Sequence, residues 1–203
     1  MELFVLIIIF IILSILEAHF KSAGHKGRVG EARVNNYIRK SLDQNIYFLI
    51  EDVTLPTRNG TTQIDHIIVS VYGIFVIETK NISGWIFGNE RQRTWTQVIY
   101  KRKHKLLNPL RQNYAHVKTI QSLLRLRQHQ IFSIIALVGD CVVKTDFPEN
   151  VTQGRNFIAY IKSMDKPVIS ERDVKNAINV IEATRLERSK ETNRIHINNI
   201  NNN

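Results

Sequence analysis

An Asp at 65, a Glu at 78 and a Lys at 80 lie in a segment, Gln63 to Asn81, whose other residues are mostly Ile, Val, Phe and Tyr. Carboxylates are hard oxygen ligands suited to magnesium, and a Lys ammonium can orient a water or neutralise charge growing on a phosphate. Metal-assisted hydrolysis of a phosphodiester needs metal ligands, a placed water and a nearby cation. The D-x12-E-x-K spacing supplies those types, with the backbone carbonyl of Thr79 as a further oxygen donor. The same spacing also fits a salt-bridged strand end, so the chemistry depends on how the chain folds around it.

The segment reads as a β-hairpin. Ile64 to Val71 is rich in β-branched residues, Tyr72-Gly73 is a turn signal, and Ile74 to Thr79 resumes the strand. With a two-residue loop, Val71 pairs with Ile74 and Asp65 falls opposite Lys80, while Ile67, Val69, Val76 and Glu78 share their face. Charges on the apolar face of a hairpin need partners or ligands, which marks the open end as a site. His66 faces the other way.

The flanking elements follow from periodicity. Arg28 to Leu42 has helical spacing through Val34, Ile38 and Leu42, and Glu31 falls on that inward face, where it needs a partner or a favourable helix start. Ile46 to Leu55 reads as a strand and Pro56 to Thr62 as a turn. Short apolar pieces punctuated by Ser83-Gly84 and Gly88-Asn89, then Thr94 to Tyr100, extend the sheet. The basic stretch that includes Lys101, Arg102 and Lys103 follows Trp95 and Tyr100, a composition that tracks phosphates and stacks on bases, or simply forms a solvated loop. Asn108-Pro109 opens a helix to about Leu126, on which Gln112 and His116 are one turn apart, placed either to look into the cleft at the hairpin's open end or to serve as surface or capping residues. Ile131 to Gly139 and Asn156 to Ile161 read as strands, and Ser170 with Asp173 begins a helix through a capping box.

Taken together, Gly30-Glu31, Gln63-Ile64-Asp65-His66, Gly73 to Asn81 with Gly84, Trp95, and Asn108-Pro109 with Gln112 closely resemble the nuclease-related domain family, over about residues 24–126. That family is assigned to the PD-(D/E)xK, or restriction-endonuclease-like, superfamily. The resemblance implies an α/β core with a mixed central sheet flanked by helices. It further implies that Asp65 and Glu78 ligate magnesium, or manganese in its place, with the Thr79 carbonyl. Lys80 would orient the attacking water or stabilise the phosphorane, Glu31 would support the metal site from its helix, and Gln63 and Gln112 would line the cleft. The superfamily's Gln-x-x-x-Tyr motif is not reproduced, because His116 stands where Tyr would.

The whole chain of 203 residues, with formal net charge +10 and pI near 9.9, favours anionic partners. One cysteine, Cys141, excludes an intramolecular disulfide framework and any multi-cysteine metal site. No P-loop, H-E-x-x-H, G-x-S-x-G or C-x-x-C pattern is present. The run Leu3 to Leu16 is broken only by Ser14 and spans roughly 21 Å as a helix, so it needs flanking residues to about Phe20 to cross roughly 30 Å of hydrocarbon. A cleaved signal peptide is the rival, but no basic stretch precedes the run and no clear cleavage site follows it. Lys21, Lys26 and Arg28 follow the run, which places the rest of the chain in the cytoplasm. The expected organisation is a membrane anchor at 1–20, a linker at 21–27, an α/β domain at 28–188 and a polar, disordered tail at 189–203. The expected function is a single-pass, membrane-anchored, cytoplasm-facing, metal-dependent nuclease, acting on DNA in preference to RNA. The alternative is a non-catalytic nucleic-acid-binding or membrane-organising module on the same fold.

Overall fold

The computed structural model describes residues 2–58 and 60–187; within the first helix, side chains are described for Val5, Ile9 and from Gly24 onward. A long helix α1 (Glu2–Ser41) leads into β1 (Phe48–Thr57), β2 (Gly60–Ser70) and β3 (Gly73–Lys80). Three shorter strands follow, β4 (Gly84–Phe87), β5 (Thr94–Ile99) and β6 (Arg102–Leu107), then α2 (Pro109–Leu124). The chain continues through β7 (Ile131–Leu137), β8 (Cys141–Val143), β9 (Val151–Gln153), α3 (Asn156–Ser163) and α4 (Glu171–Thr184).

Among the described residues the strands form two sheets. The larger has the order β1-β2-β3-β7-β9 and is mixed: β1, β2 and β3 run antiparallel, whereas β7 lies parallel to β3 and β9 parallel to β7. Its central strand β3 is apolar on both sides because helices cover both faces. Ile67, Val69, Ile74 and Val76 pack with Val117 and Ile120 of α2 and Val174 and Ile181 of α4. On the opposite face Ile68, Phe75 and Ile77 pack with Val34 and Ile38 of α1 and Phe157 and Ile161 of α3. Each fully buried Ile or Phe here contributes roughly 1.5–3 kcal/mol. The smaller sheet, β6-β5-β4-β8, is joined to β7 by Ile86, Trp95, Ile135, Leu137 and Cys141.

The mixed α/β core agrees with the expectation, and several elements differ from it. Ser22 to Gly27, read as a linker, is helical, since α1 runs unbroken. Gly24 and Gly27 weaken a helix by only about 1 kcal/mol each relative to Ala, too little to end one without a cap or Pro. The turn into the hairpin is shorter than expected, because β1 extends to Thr57 and β2 begins at Gly60. The pieces after the hairpin form the second sheet and do not extend the first. Asn156 to Ile161 is helical: Phe157, Ile158 and Ile161 recur at helical spacing and are buried together. The Ser170 cap is as expected, with its Oγ accepting from the Asp173 amide at 3.2 Å.

Among the described residues no helix is long and apolar enough to cross a membrane. The expected anchor at 1–20 rests on a run whose side chains, apart from Val5 and Ile9, lie outside the described residues. The tail expected at 189–203 also lies outside them.

Candidate active site

The hairpin register brings the two carboxylates face to face. Val71 and Tyr72 form the turn, so Ser70 pairs with Gly73 and the ladder runs to His66 with Ile77. Gly73 has φ +133°, and a Cβ there would stand 2.5 Å from the Phe132 ring, so only glycine fits the turn exit. Continued by one residue, this register sets Asp65 opposite Glu78, not opposite Lys80 as expected. The two-residue shift keeps every side chain on its expected face. Regular pairing gives way here, and Asp65 Oδ2 accepts the Thr79 amide at 2.7 Å.

Glu78 is 2% exposed and sits between two basic side chains. Lys80 Nζ lies 2.6 Å from its Oε1, and His116 Nε2 lies 3.3 Å from its Oε2. That second oxygen is buried with no well-formed hydrogen bond. Lys80 Nζ also donates to Gln112 Oε1 at 3.0 Å, and His116 Nδ1 lies 2.8 Å from Thr62 Oγ1. Both α2 side chains thus reach the charged end of β3 from above its face. Their helix is fixed by Asn113, which is fully buried and donates from Nδ2 to the carbonyls of Val76 on β3 and Ile134 on β7. The Asn108 cap adds a second fix, accepting from the Leu110 amide and donating to the carbonyl of Gln92.

Glu31 arrives from the other side of the sheet. At Gly30 a Cβ would stand 2.6 Å from the Asn81 side chain, so glycine lets α1 close onto the end of β3. Asn81 Nδ2 donates to the Lys26 carbonyl at 2.8 Å and ties the same helical turn down. Glu31, Asp65, Glu78, Lys80 and Gln112 line one open cleft of about 470 Å³, whose opposite wall includes Gln97 and Ile99 of β5.

The electrostatics of the cleft are uneven. Burial, reinforced by Glu78, holds the Asp65 carboxyl well above the usual carboxylate range against the pull of the Thr79 amide. Burial and the neighbouring Asp52 and Glu78 raise Glu31. Burial would raise Glu78 too, but the His116 and Lys80 contacts outweigh it and draw its carboxyl below the usual range. Two carboxyls that burial holds high, beside a third that is drawn low and whose buried Oε2 has only the 3.3 Å His116 contact, suit a divalent cation with a preference for oxygen ligands. Among the described residues no three Asp, Glu, His or Cys side chains group closely enough to hold a metal by themselves. A cation held in this cleft would have Asp65 and Glu78 as its side-chain ligands, with carbonyl oxygen and water for the rest.

The remaining expected residues lie elsewhere. Gln63 is not part of the cleft wall and donates to Asp52 Oδ1 at 2.7 Å. Lys101, Arg102 and Lys103 are exposed around the β5–β6 turn, outside the cleft. His66 faces away as expected, with Nε2 2.9 Å from Thr79 Oγ1, and burial lowers its pKa to about 4. Two contributors have no chemical role in the sequence reading. His116 reaches the cleft end of the hairpin, as its spacing from Gln112 allows, and its contact with Glu78 is not foreseen. Asp52 lies on β1 opposite Asp65 of β2, between the pairs Glu51 with His66 and Val53 with Ile64, in the left-handed region at φ +49°. Nothing in a strand-like sequence signals that conformation.

The sequence from 26 to 138 matches the family model described as the nuclease-related domain. An uncharacterized protein of Bacillus anthracis is 39% identical over 150 residues, covering 73% of this chain and 68% of that protein. No solved structure matches.

Proposed function

The chain belongs to the nuclease-related domain family, whose name fits the PD-(D/E)xK superfamily, and on that premise we propose that it is a metal-dependent nuclease with its active site at the open end of the β2–β3 hairpin. The observation that carries this reading is the convergence of Glu31, Asp65, Glu78 and Lys80 on one cleft. Asp65 and Glu78 would hold magnesium or manganese with the Thr79 carbonyl, and Glu31 would bear on the same charge. The cation, when bound, supplies Lewis-acid polarisation of the scissile phosphate and neutralises its charge.

The chain's own side chains do the rest. Glu78 gives one oxygen to Lys80 and turns the other toward His116, so its carboxylate is fixed before substrate arrives. Lys80 is held by Gln112 at the cleft surface, where its ammonium orients the attacking water or meets charge developing on the phosphate. One water is consumed; a new P–O bond forms as one ester P–O bond breaks, leaving a phosphomonoester and an alcohol. The substrate is nucleic acid, DNA in preference to RNA, drawn by the chain's positive charge. Residues 1–20 would hold this site at the cytoplasmic face of a membrane, a reading supported by the apolar run and the basic residues after it.

The test is a cleavage assay of the full chain in detergent with magnesium, on duplex, single-stranded and branched DNA and on RNA. Cleavage that disappears in Asp65→Ala and Lys80→Ala supports the proposal; cleavage that survives both overturns it. Metal-independent binding without turnover would move the chain to the non-catalytic alternative.

A further inference from the structure

The smaller sheet has two unlike faces. Ile86, Trp95, Gln97 and Cys141 point inward and are buried. On the outer face the register aligns Val142, Trp85, Val98 and Lys103 in one row across all four strands. The next row carries Phe87, Thr96 and Lys105. Trp85 is 52% exposed and Val142 48% exposed, so this row leaves a flat apolar strip in solvent. Lysines sit among the rings: Lys144 Nζ lies 4.8 Å over the Trp85 indole, Lys105 Nζ donates to Thr96 Oγ1 at 3.0 Å, and Lys103 is exposed two strands from Trp85. Neither row contains an acidic residue.

A tryptophan held half in solvent on a flat sheet, amid three ammonium groups, is complementary to a polyanion that also presents flat apolar rings. Single-stranded nucleic acid has that chemistry, because its bases are free to stack and its phosphates follow at every nucleotide; a duplex hides its base faces. Strand spacing puts Lys103 roughly 10 Å from Trp85, within reach of phosphates flanking a base stacked on the indole. We propose that the outer face of the smaller sheet is a binding platform for single-stranded nucleic acid, with Trp85 stacking a base and Lys103, Lys105 and Lys144 contacting phosphates. The platform deepens the nuclease reading by naming a substrate class, since β5 gives its inner face to the cleft and its outer face to this surface. It is separate from the catalytic residues, so it can be tested without turnover.

The chain has two tryptophans, and Trp95 is fully buried, so quenching of indole emission by a stacked base reports Trp85. The experiment titrates the full chain, reconstituted free of detergent in neutral phosphatidylcholine vesicles and in EDTA, with a 12-nucleotide oligothymidylate, in parallel with anionic phosphatidylserine vesicles. Expected are salt-sensitive binding with quenching, binding weakened roughly tenfold or more by Trp85→Ala, and binding largely kept by Trp85→Phe. The double variant Lys103→Glu, Lys105→Glu should reduce the salt slope by roughly 1.4. Those lysines are exposed, so that variant keeps the test sound if Trp85→Ala fails to fold. Unquenched emission, or wild-type affinity in the Trp85→Ala and lysine variants, overturns the platform. Trp85-dependent vesicle binding with no oligonucleotide effect overturns it in favour of a lipid surface. Binding in EDTA without cleavage in magnesium would leave the platform standing and defeat only the nuclease reading.

Discussion

His116 and Glu78 face each other from α2 and β3, Nε2 to Oε2 at 3.3 Å, and both side chains are buried. With Lys80 on the other oxygen, the pair fixes the orientation of a carboxylate proposed to bind metal. His116 is itself held through Nδ1 by Thr62, so the orientation is inherited from β2.

Replacing His116 with Ala should therefore loosen Glu78 and leave the fold in place. The magnesium concentration for half-maximal cleavage should rise roughly 10- to 100-fold, the usual effect of losing a group that orients a ligand. Metal titration of the cleavage rate checks this. An unchanged midpoint would mean that Lys80 and the strand backbone position Glu78 without the imidazole.

Asp65 should show opposite effects on stability and activity. Its carboxyl is raised by burial and then by Glu78, so above its unfolded-state pKa the folded protein resists losing the proton, and stability falls as pH rises through that window. Asp65→Asn removes this penalty and can still accept the Thr79 amide. The variant should melt higher than the parent in metal-free buffer at neutral pH, gain nothing from added magnesium, and not cleave. Thermal melts with and without magnesium read both effects; a lower metal-free melting temperature would show that the charge is already compensated.

How far the sequence could reach is visible at these same residues. Asp65, Glu78 and Lys80 fall on one face because the turn lies one residue earlier than expected, which shifts the pairing by two and preserves strand parity. Glu31 was legible from its spacing to Val34 and Ile38, both fully buried. Its arrival around the sheet edge was not, because that depends on the close approach at Gly30. The second sheet was hidden because its pairings, β4 with β8 for example, join segments far apart in sequence. Asn156 to Ile161 was misread because a short apolar run fits either period. Asp52 depends on one left-handed backbone conformation that no local pattern announces.

His66 predicts an acid sensitivity distinct from the site. Its pKa is lowered by burial to about 4 from an ordinary 6.5, so between those values the unfolded chain holds a proton that the folded chain does not. Stability is therefore fully present above pH 6.5 and declines as pH falls toward 4, by about 3 kcal/mol in total. Urea unfolding at pH 7.5, 6, 5 and 4.5 should show this loss, and His66→Gln should flatten it. A parent and variant with parallel pH profiles would place the acid sensitivity in other groups.

Lys80 should separate metal binding from catalysis. Its ammonium lies 2.6 Å from Glu78 Oε1 and 3.0 Å from Gln112 Oε1, so it occupies an oxygen that a metal would also use. Truncation to Ala removes both the cation proposed to meet the phosphate and a competitor for Glu78. Cleavage should then fall by roughly 100-fold or more while magnesium binding, followed by thermal shift, is kept or tightened. Gln112→Ala leaves the ammonium in place without its anchor and should have the smaller effect, roughly tenfold on rate with little change in metal affinity. A neutral Lys80→Gln variant tests whether charge or length matters, and it should be as inactive as Lys80→Ala. If rate and metal affinity instead fall together in both Lys80 variants, the lysine acts by assembling the metal site, and the group that orients the water must be sought elsewhere in the cleft.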